Sequence, residues 1–182
     1  MHTIDGRTID RGTSALLVVD FQSRLMPAIE DGGAIVANAR LLLAAASLLE
    51  VPVAFTEQNA HGLGATVPEL DPQAHGPVLA KMAFDACRDG GLANLPPQPS
   101  LVVIGCEAHV CVLQTVLGLL DAGRRVYVAQ DAVGARRAES KAAALRRMER
   151  HGAEIVTAEM AVFEWLGTAE HPRFRQVLAL LK

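Results

Sequence analysis

The sequence predicts an α/β protein, a three-layer doubly wound sandwich around a six-stranded parallel sheet in the order 3-2-1-4-5-6. Three observations carry that prediction. Apolar runs such as Leu101–Ile104 and Ala15–Val19 are continuous rather than alternating, as strands covered on both faces must be. These runs alternate along the chain with stretches of helical periodicity, which calls for right-handed crossovers. The most distinct unit, Pro99 to Thr115, reads as strand, glycine break, then helix, with Leu113, Val116, Leu117 and Leu120 returning at helical spacing. In the predicted order the first and fourth strands lie side by side at the point where a ligand site is expected, at the carboxyl ends of the strands.

Taken in order, residues 1–12 form an irregular lead-in with a turn at Asp5-Gly6. Ser14 to Asp20 is the first buried strand, ending in a carboxylate. Phe21-Gln22-Ser23 and Pro27 make a loop over the strand ends. A Leu- and Ala-rich helix runs from Ala34 to Glu50, and Val51-Pro52 closes it. Val53 to Thr56 is the second strand, with Glu57-Gln58-Asn59 emerging at its end. Residues 60–77, punctuated by Pro68, Pro72 and Pro77, read as a loop over the site. Val78 to Met82 is a short third strand with Lys81 inside an apolar run. Asp85 to Leu95 reads as a short helix, and Pro96-Pro97-Gln98-Pro99 leads into the fourth strand. Its helix ends near Ala122, at Gly123 and Arg124-Arg125. Val126 to Gln130 is the fifth strand with Asp131 at its end. A helix from Arg136 to His151 follows, then a last strand from Glu154 to Thr157. Helices at Met160–Leu166 and Phe174–Leu181 complete a single domain over 1–182.

A chain of 182 residues, 51% hydrophobic and 20% charged, can bury a sizeable core. Net charge is −3 with no long run of one sign, so no nucleic-acid partner is expected. The polar first dozen residues lack the apolar segment of a secretory signal, and the apolar runs look too short to cross a bilayer. Three cysteines, Cys87, Cys106 and Cys111, are an odd number without framework spacing. Free thiols in a reducing, cytoplasmic setting are expected.

Topology brings three reactive side chains toward one another: Asp20 ending the first strand, Lys81 in the third, and Cys111 opening the helix after the fourth. Each has an ordinary reading alone. An Asp at a strand end is often a capping group, a strand lysine is often a solvated edge residue, and a cysteine is often a small core hydrophobe. Together they supply a thiol, a base for its proton, and an ammonium that favours the ionised forms. The helix start and Lys81 pull the thiol's pKa down while Asp20 pushes it up, so the net sign stays open at this level.

These residues carry a resemblance. Leu-Leu-Val-Val-Asp20-Phe-Gln, then Lys81, then Gly105-Cys-Glu-Ala-His-Val-Cys111-Val-Leu-Gln-Thr resembles the isochorismatase-like superfamily of cysteine hydrolases over nearly the whole chain. Thr56-Glu57-Gln58-Asn59, Gly62-Leu63-Gly64, Val67-Pro68-Glu69-Leu70 and Gln130-Asp131-Ala132 are similar to its isochorismatase domain-containing subgroup. The resemblance implies a catalytic triad of Asp20, Lys81 and Cys111, with a cis peptide between Cys106 and Glu107. It also implies an oxyanion hole from the N–H groups of Glu107 and Cys111. Phe21, Gln22, Glu57, Gln58 and Asn59 are the candidates for the substrate pocket.

Two departures narrow what the resemblance implies. Nicotinamidases of this superfamily hold a metal through Asp-x-His and a second His. Here Glu57-Gln58-Asn59 stands in that place, and His61 and His75 lack ligand spacing, so neither metal nor other cofactor is expected. True isochorismatases lack the nucleophilic cysteine, so the family name does not specify the substrate. Cys106 and Cys111 are not a Cys-x-x-Cys pair, His61-Gly62-Leu63-Gly64 is not a dinucleotide fingerprint, and His109 reads as a loop or interface residue. The expected activity is metal-independent hydrolysis of a small amide-like molecule. The competing reading is a thiol-sensing interaction protein that keeps the fold without turnover. The apolar terminal helices exceed what six strands need to cover, which points to a homo-oligomer.

Overall fold

Six strands run parallel in one sheet, each apolar enough to be covered from both sides. They are β1 (Ser14–Val19), β2 (Val53–Gln58), β3 (Val78–Lys81), β4 (Ser100–Cys106), β5 (Arg125–Gly134) and β6 (Glu154–Val156). Their order is β3-β2-β1-β4-β5-β6, with every neighbouring pair parallel, as the sequence pattern predicts. The structure is a computed structural model and describes residues 6–182; the turn expected at Asp5-Gly6 lies partly outside them.

The chain connects these strands through α1 (Gly32–Leu49), α2 (Ala60–Leu63), α3 (Pro72–His75), α4 (Leu113–Asp121) and α5 (Ala138–Arg150), and ends in α6 (Ala158–Leu166) and α7 (Phe174–Leu180). The period-2 geometry of a strand divides β1 between two cores. Leu16 and Val18 pack with Leu42 and Leu43 of α1 and with Val162 and Trp165 of α6. Ala15, Leu17 and Val19 pack with Val116 and Leu119 of α4 and Met148 of α5. This is the three-layer arrangement, with the central strands wholly buried.

Several expectations change. The stretch Asp85–Leu95 is not a helix: Asp85 Oδ1 takes the Cys87 N–H at 2.8 Å, Asp89 and Gly90 have φ of 54° and 82°, and only Gly91–Asn94 forms a 3-10 turn. A short carboxylate bonded to its own backbone competes with helix, and left-handed residues end it. Residues 60–77 are more structured than a bare loop, holding α2, α3 and a 3-10 turn at Pro68–Leu70. β5 does not stop at Gln130. Between the pairs Val103↔Val128 and Gly105↔Val133 it takes five steps against two on β4, and this bulge carries the strand on to Gly134.

Asp131 therefore lies inside β5, where its Oδ1 accepts the Ala158 N–H at 2.8 Å and starts α6. α1 is also longer than expected. At 18 residues with a mean hydropathy of 1.6 it is long and apolar enough to cross a membrane, contrary to the expectation from run lengths. In the fold it is a core helix, with Ile35, Ala39, Leu42, Leu43, Ala45, Ala46 and Leu49 buried.

The terminal helices answer to the same core. Val162, Trp165, Leu166 and Val177 are 2% exposed or less. Burying an aliphatic side chain of this kind stabilises by about 1.5–3 kcal/mol. Met160, Phe163 and Leu180 on the same helices stay exposed, so the chain itself covers only part of their apolar surface.

Candidate active site

Four adjacent strands, β3, β2, β1 and β4, deliver one side chain each to the carboxyl edge of the sheet. Asp20 follows β1 directly and is fully buried, with a left-handed φ of 52°. Its N–H donates to Thr56 O at 3.1 Å, which ties the turn to β2. One carboxylate oxygen, Oδ1, accepts the Thr56 hydroxyl at 2.6 Å, and the other, Oδ2, accepts Lys81 Nζ at 2.6 Å. Lys81 also donates to Phe84 O at 3.2 Å and Ala83 O at 3.4 Å, so three acceptors match the three protons of its ammonium. The Lys81 side chain is 10% exposed.

β4 brings the third group. Gly105 has φ +142°, and a Cβ there would stand 2.1 Å from Val19 O; only glycine lets β1 and β4 approach so closely beside Asp20. The Cys106–Glu107 peptide is cis. Ala108–Val112 then forms a π-helical turn rather than the first turn of an α-helix, and Cys111 lies in it at 7% exposure.

Cys111 feels both members of the ion pair. Burial, first, and the charge of Asp20 push its thiol up to about 12, and Lys81 only partly offsets them. The sign left open by the sequence is thus decided by depth, and the resting thiol is protonated at neutral pH. Cys106, fully buried at the end of β4, is raised to about 12 by burial. Cys87 is half-buried and raised to about 12 by burial and by the Asp85 carboxylate beside it.

The expected pocket residues are engaged elsewhere. Phe21 is fully buried in the core on the α1 side. Gln22 is also buried, and its amide ties the end of β2 to the segment after α2: Nε2 donates to Gly64 O at 2.7 Å and Gln58 O at 3.0 Å, and Oε1 accepts the Gln58 N–H at 2.9 Å. Glu57 Oε1 accepts both the N–H and the hydroxyl of Thr66, at 2.7 and 2.8 Å. Gln58 Nε2 donates to Met82 O at 3.1 Å. Asn59, with φ 42°, opens α2, and its N–H donates to Lys81 O at 2.9 Å. These side chains shape the rim by holding backbone, because each buried polar group must find a partner.

A cavity of about 300 Å³ lies beside Lys81, lined also by Thr56, Leu79, Met82, Ala86, Arg88 and Asn94; Asp20 and Cys111 are not in its wall. Glu107 turns its carboxylate to Arg136, accepting from Nε at 3.0 Å and from N–H at 3.1 Å. His109 has a buried Nδ1 without a partner among the described residues, and it borders a second cavity with Arg136, Arg137 and Ser140. No three His, Cys, Asp or Glu side chains converge as metal ligands among the described residues. His75 Nδ1 instead meets Ser47 Oγ at 3.0 Å. Sequence reasoning missed Thr56, whose only signal was its place on the strand between those carrying Asp20 and Lys81.

Comparison with known proteins agrees with this architecture. The isochorismatase domain family matches residues 14–160. Isochorismatase domain-containing protein 2 of Pongo abelii is 40% identical over 174 residues, covering 94% of this chain and 84% of that protein. Isochorismatase domain-containing protein 1 of Danio rerio is 35% identical over 173 residues, covering 93% of this chain and 61% of that protein. Among solved structures, the MAR1 ribonuclease from Caenorhabditis elegans matches with a TM-score of 0.90 at 35% identity, covering 96% of this chain and 92% of that one. A six-stranded sheet with this order, together with identity along nearly the whole length, places the chain in the isochorismatase family.

Proposed function

We propose that this protein is a metal-independent cysteine hydrolase acting on a small amide-like substrate, with Cys111 as nucleophile, Asp20 as base and Lys81 as the charge that holds Asp20. The observation that carries the reading is the wholly buried Asp20 carboxylate, ion-paired to Lys81 at 2.6 Å next to a buried thiol. Taking two charges out of water is costly, and such pairs beside a nucleophile mark functional sites. A thiol held near 12 cannot act as a standing thiolate, so it needs a base that takes its proton as the electrophile arrives.

In the proposed cycle the Cys111 proton passes to Asp20 and the sulfur adds to the substrate carbonyl. Asp20 returns the proton to the leaving amine, the C–N bond breaks and a thioester remains. Asp20 then takes a proton from water as the hydroxide adds to the thioester; the adduct collapses with cleavage of the C–S bond to release the acid, and Asp20 returns its proton to the leaving sulfur, which regenerates the Cys111 thiol. Glu107 N–H, which donates to no group among the described residues, is the available donor for the developing oxyanion.

The test is a panel of small amides, esters and short RNA assayed with wild-type protein and Cys111→Ala. Turnover of an amide that vanishes in the variant supports the reading. Cleavage of RNA alone, or turnover independent of Cys111, overturns it. No turnover, with reversible oxidation of Cys111, favours the thiol-sensor alternative. The reading extends to a cytoplasmic homo-oligomer without nucleic-acid or membrane partners. Its support is the exposed apolar set Val78, Met82 and Phe84 along edge strand β3 and the site mouth, at 40%, 71% and 49% exposure.

A further inference from the structure

The Asp20–Lys81 pair joins β1 to β3, two strands that are not neighbours, and the carboxylate must reach across β2 to make it. Thr56 stands on β2 at that crossing, in register with Val19 on one side and Leu79 on the other. It is 1% exposed, and its hydroxyl donates to Asp20 Oδ1 at 2.6 Å while its carbonyl accepts the Asp20 N–H at 3.1 Å. We infer that Thr56 is a positioning residue for Asp20. Its hydroxyl occupies Oδ1, so that Oδ2 is left to Lys81 and the carboxylate is held in one rotation toward the thiol. The inference rests on the cysteine-hydrolase reading and adds a fourth member to its machinery, acting through Asp20 rather than on substrate.

Geometry leaves the carboxylate few other restraints. Besides Thr56, the carboxylate meets Lys81 through Oδ2 and faces the Cys111 thiol, and the Thr56 hydroxyl is the bond that fixes Oδ1 against rotation about the Cβ–Cγ bond. A carboxylate turned out of line with the thiol is a poorer acceptor for its proton, so loss of the Thr56 hydroxyl slows the reaction of Cys111.

The experiment measures the rate of Cys111 alkylation by iodoacetamide against pH, following the Cys111 peptide by mass spectrometry in the full-length protein. Thr56→Val keeps the shape and removes the hydroxyl; Thr56→Ser keeps the hydroxyl. Cys111 in Thr56→Val is expected to react about tenfold more slowly than in the wild type, a part of the roughly 100-fold or more that a positioned base contributes. Thr56→Ser should restore the wild-type rate. An unchanged rate in Thr56→Val while Cys111 remains the labelled residue overturns the positioning role and leaves the hydrolase reading standing. If Cys111 is not the reactive thiol in the wild type, the hydrolase reading itself fails. Should Thr56→Val not fold, Thr56→Ala read against Thr56→Ser makes the same comparison with the same outcomes.

Discussion

Replacing Lys81 by Met keeps the unbranched stem, one atom shorter, and removes the charge, which isolates the ion pair at the heart of the site. The Asp20 carboxylate is fully buried and Lys81 is 10% exposed, so solvent does little to screen the loss. Asp20 would keep the Thr56 hydroxyl and lose the 2.6 Å bond to Nζ, while Ala83 O and Phe84 O would each lose a donor. Breaking a buried pair by removing one partner costs about 3–5 kcal/mol. For a chain of this size that lowers Tm by roughly 6–20 °C. Urea unfolding at neutral pH measures the loss directly. Combining Lys81→Met with Asp20→Asn removes the uncompensated charge, so the double variant should be more stable than Lys81→Met alone. A loss under about 1 kcal/mol in Lys81→Met, the range of a solvated surface pair, would refute the reasoning.

Other outcomes follow from the same geometry. Because Cys111 and Cys106 are raised from 9.0 to about 12, each contributes stability that is complete below pH 9 and lost as pH climbs toward 12. The folding constant should therefore fall roughly tenfold per pH unit for each thiol in that window, and Cys111→Ala should flatten the fall in alkaline urea melts. Gly105→Ala forces a Cβ to 2.1 Å from Val19 O at φ +142°, and should cost more than about 2 kcal/mol by the same assay. Iodoacetamide at neutral pH should label Cys111 before the more exposed Cys87, because the Asp20 carboxylate beside Cys111 is held in place by Lys81 and Thr56, whereas Asp85 beside Cys87 is bonded to the Cys87 N–H and paired with Arg88; earlier labelling of Cys87 would count against the nucleophile. Turnover should survive exhaustive dialysis against EDTA; loss restored by zinc or manganese would show a metal role.

Much of the framework was determined by the sequence alone, because it depends on local chemistry. Continuous apolar runs such as Leu101–Ile104 can only be strands covered on both faces, and their alternation with helical stretches leads to one parallel sheet in the observed order. Given that order, Asp20, Lys81 and Cys111 emerge at one edge. What the tertiary structure alone decided depends on contacts between segments distant in the chain. Phe21, Gln22 and Glu57 sit at strand ends and look like pocket walls, yet Phe21 packs into the core and the other two find backbone partners 36 and 9 residues away. Asp85–Leu95 has the apolar content of a helix, and a carboxylate bonded to its own backbone unmakes it. Thr56 looks like any strand threonine until β2 is seen to lie beneath the Asp20–Lys81 bridge. The state of Cys111 was undecidable from charges in the sequence, since helix start, lysine and aspartate pull in opposite directions. Depth settles it: desolvation of the thiol outweighs them and is a property of the packed interior.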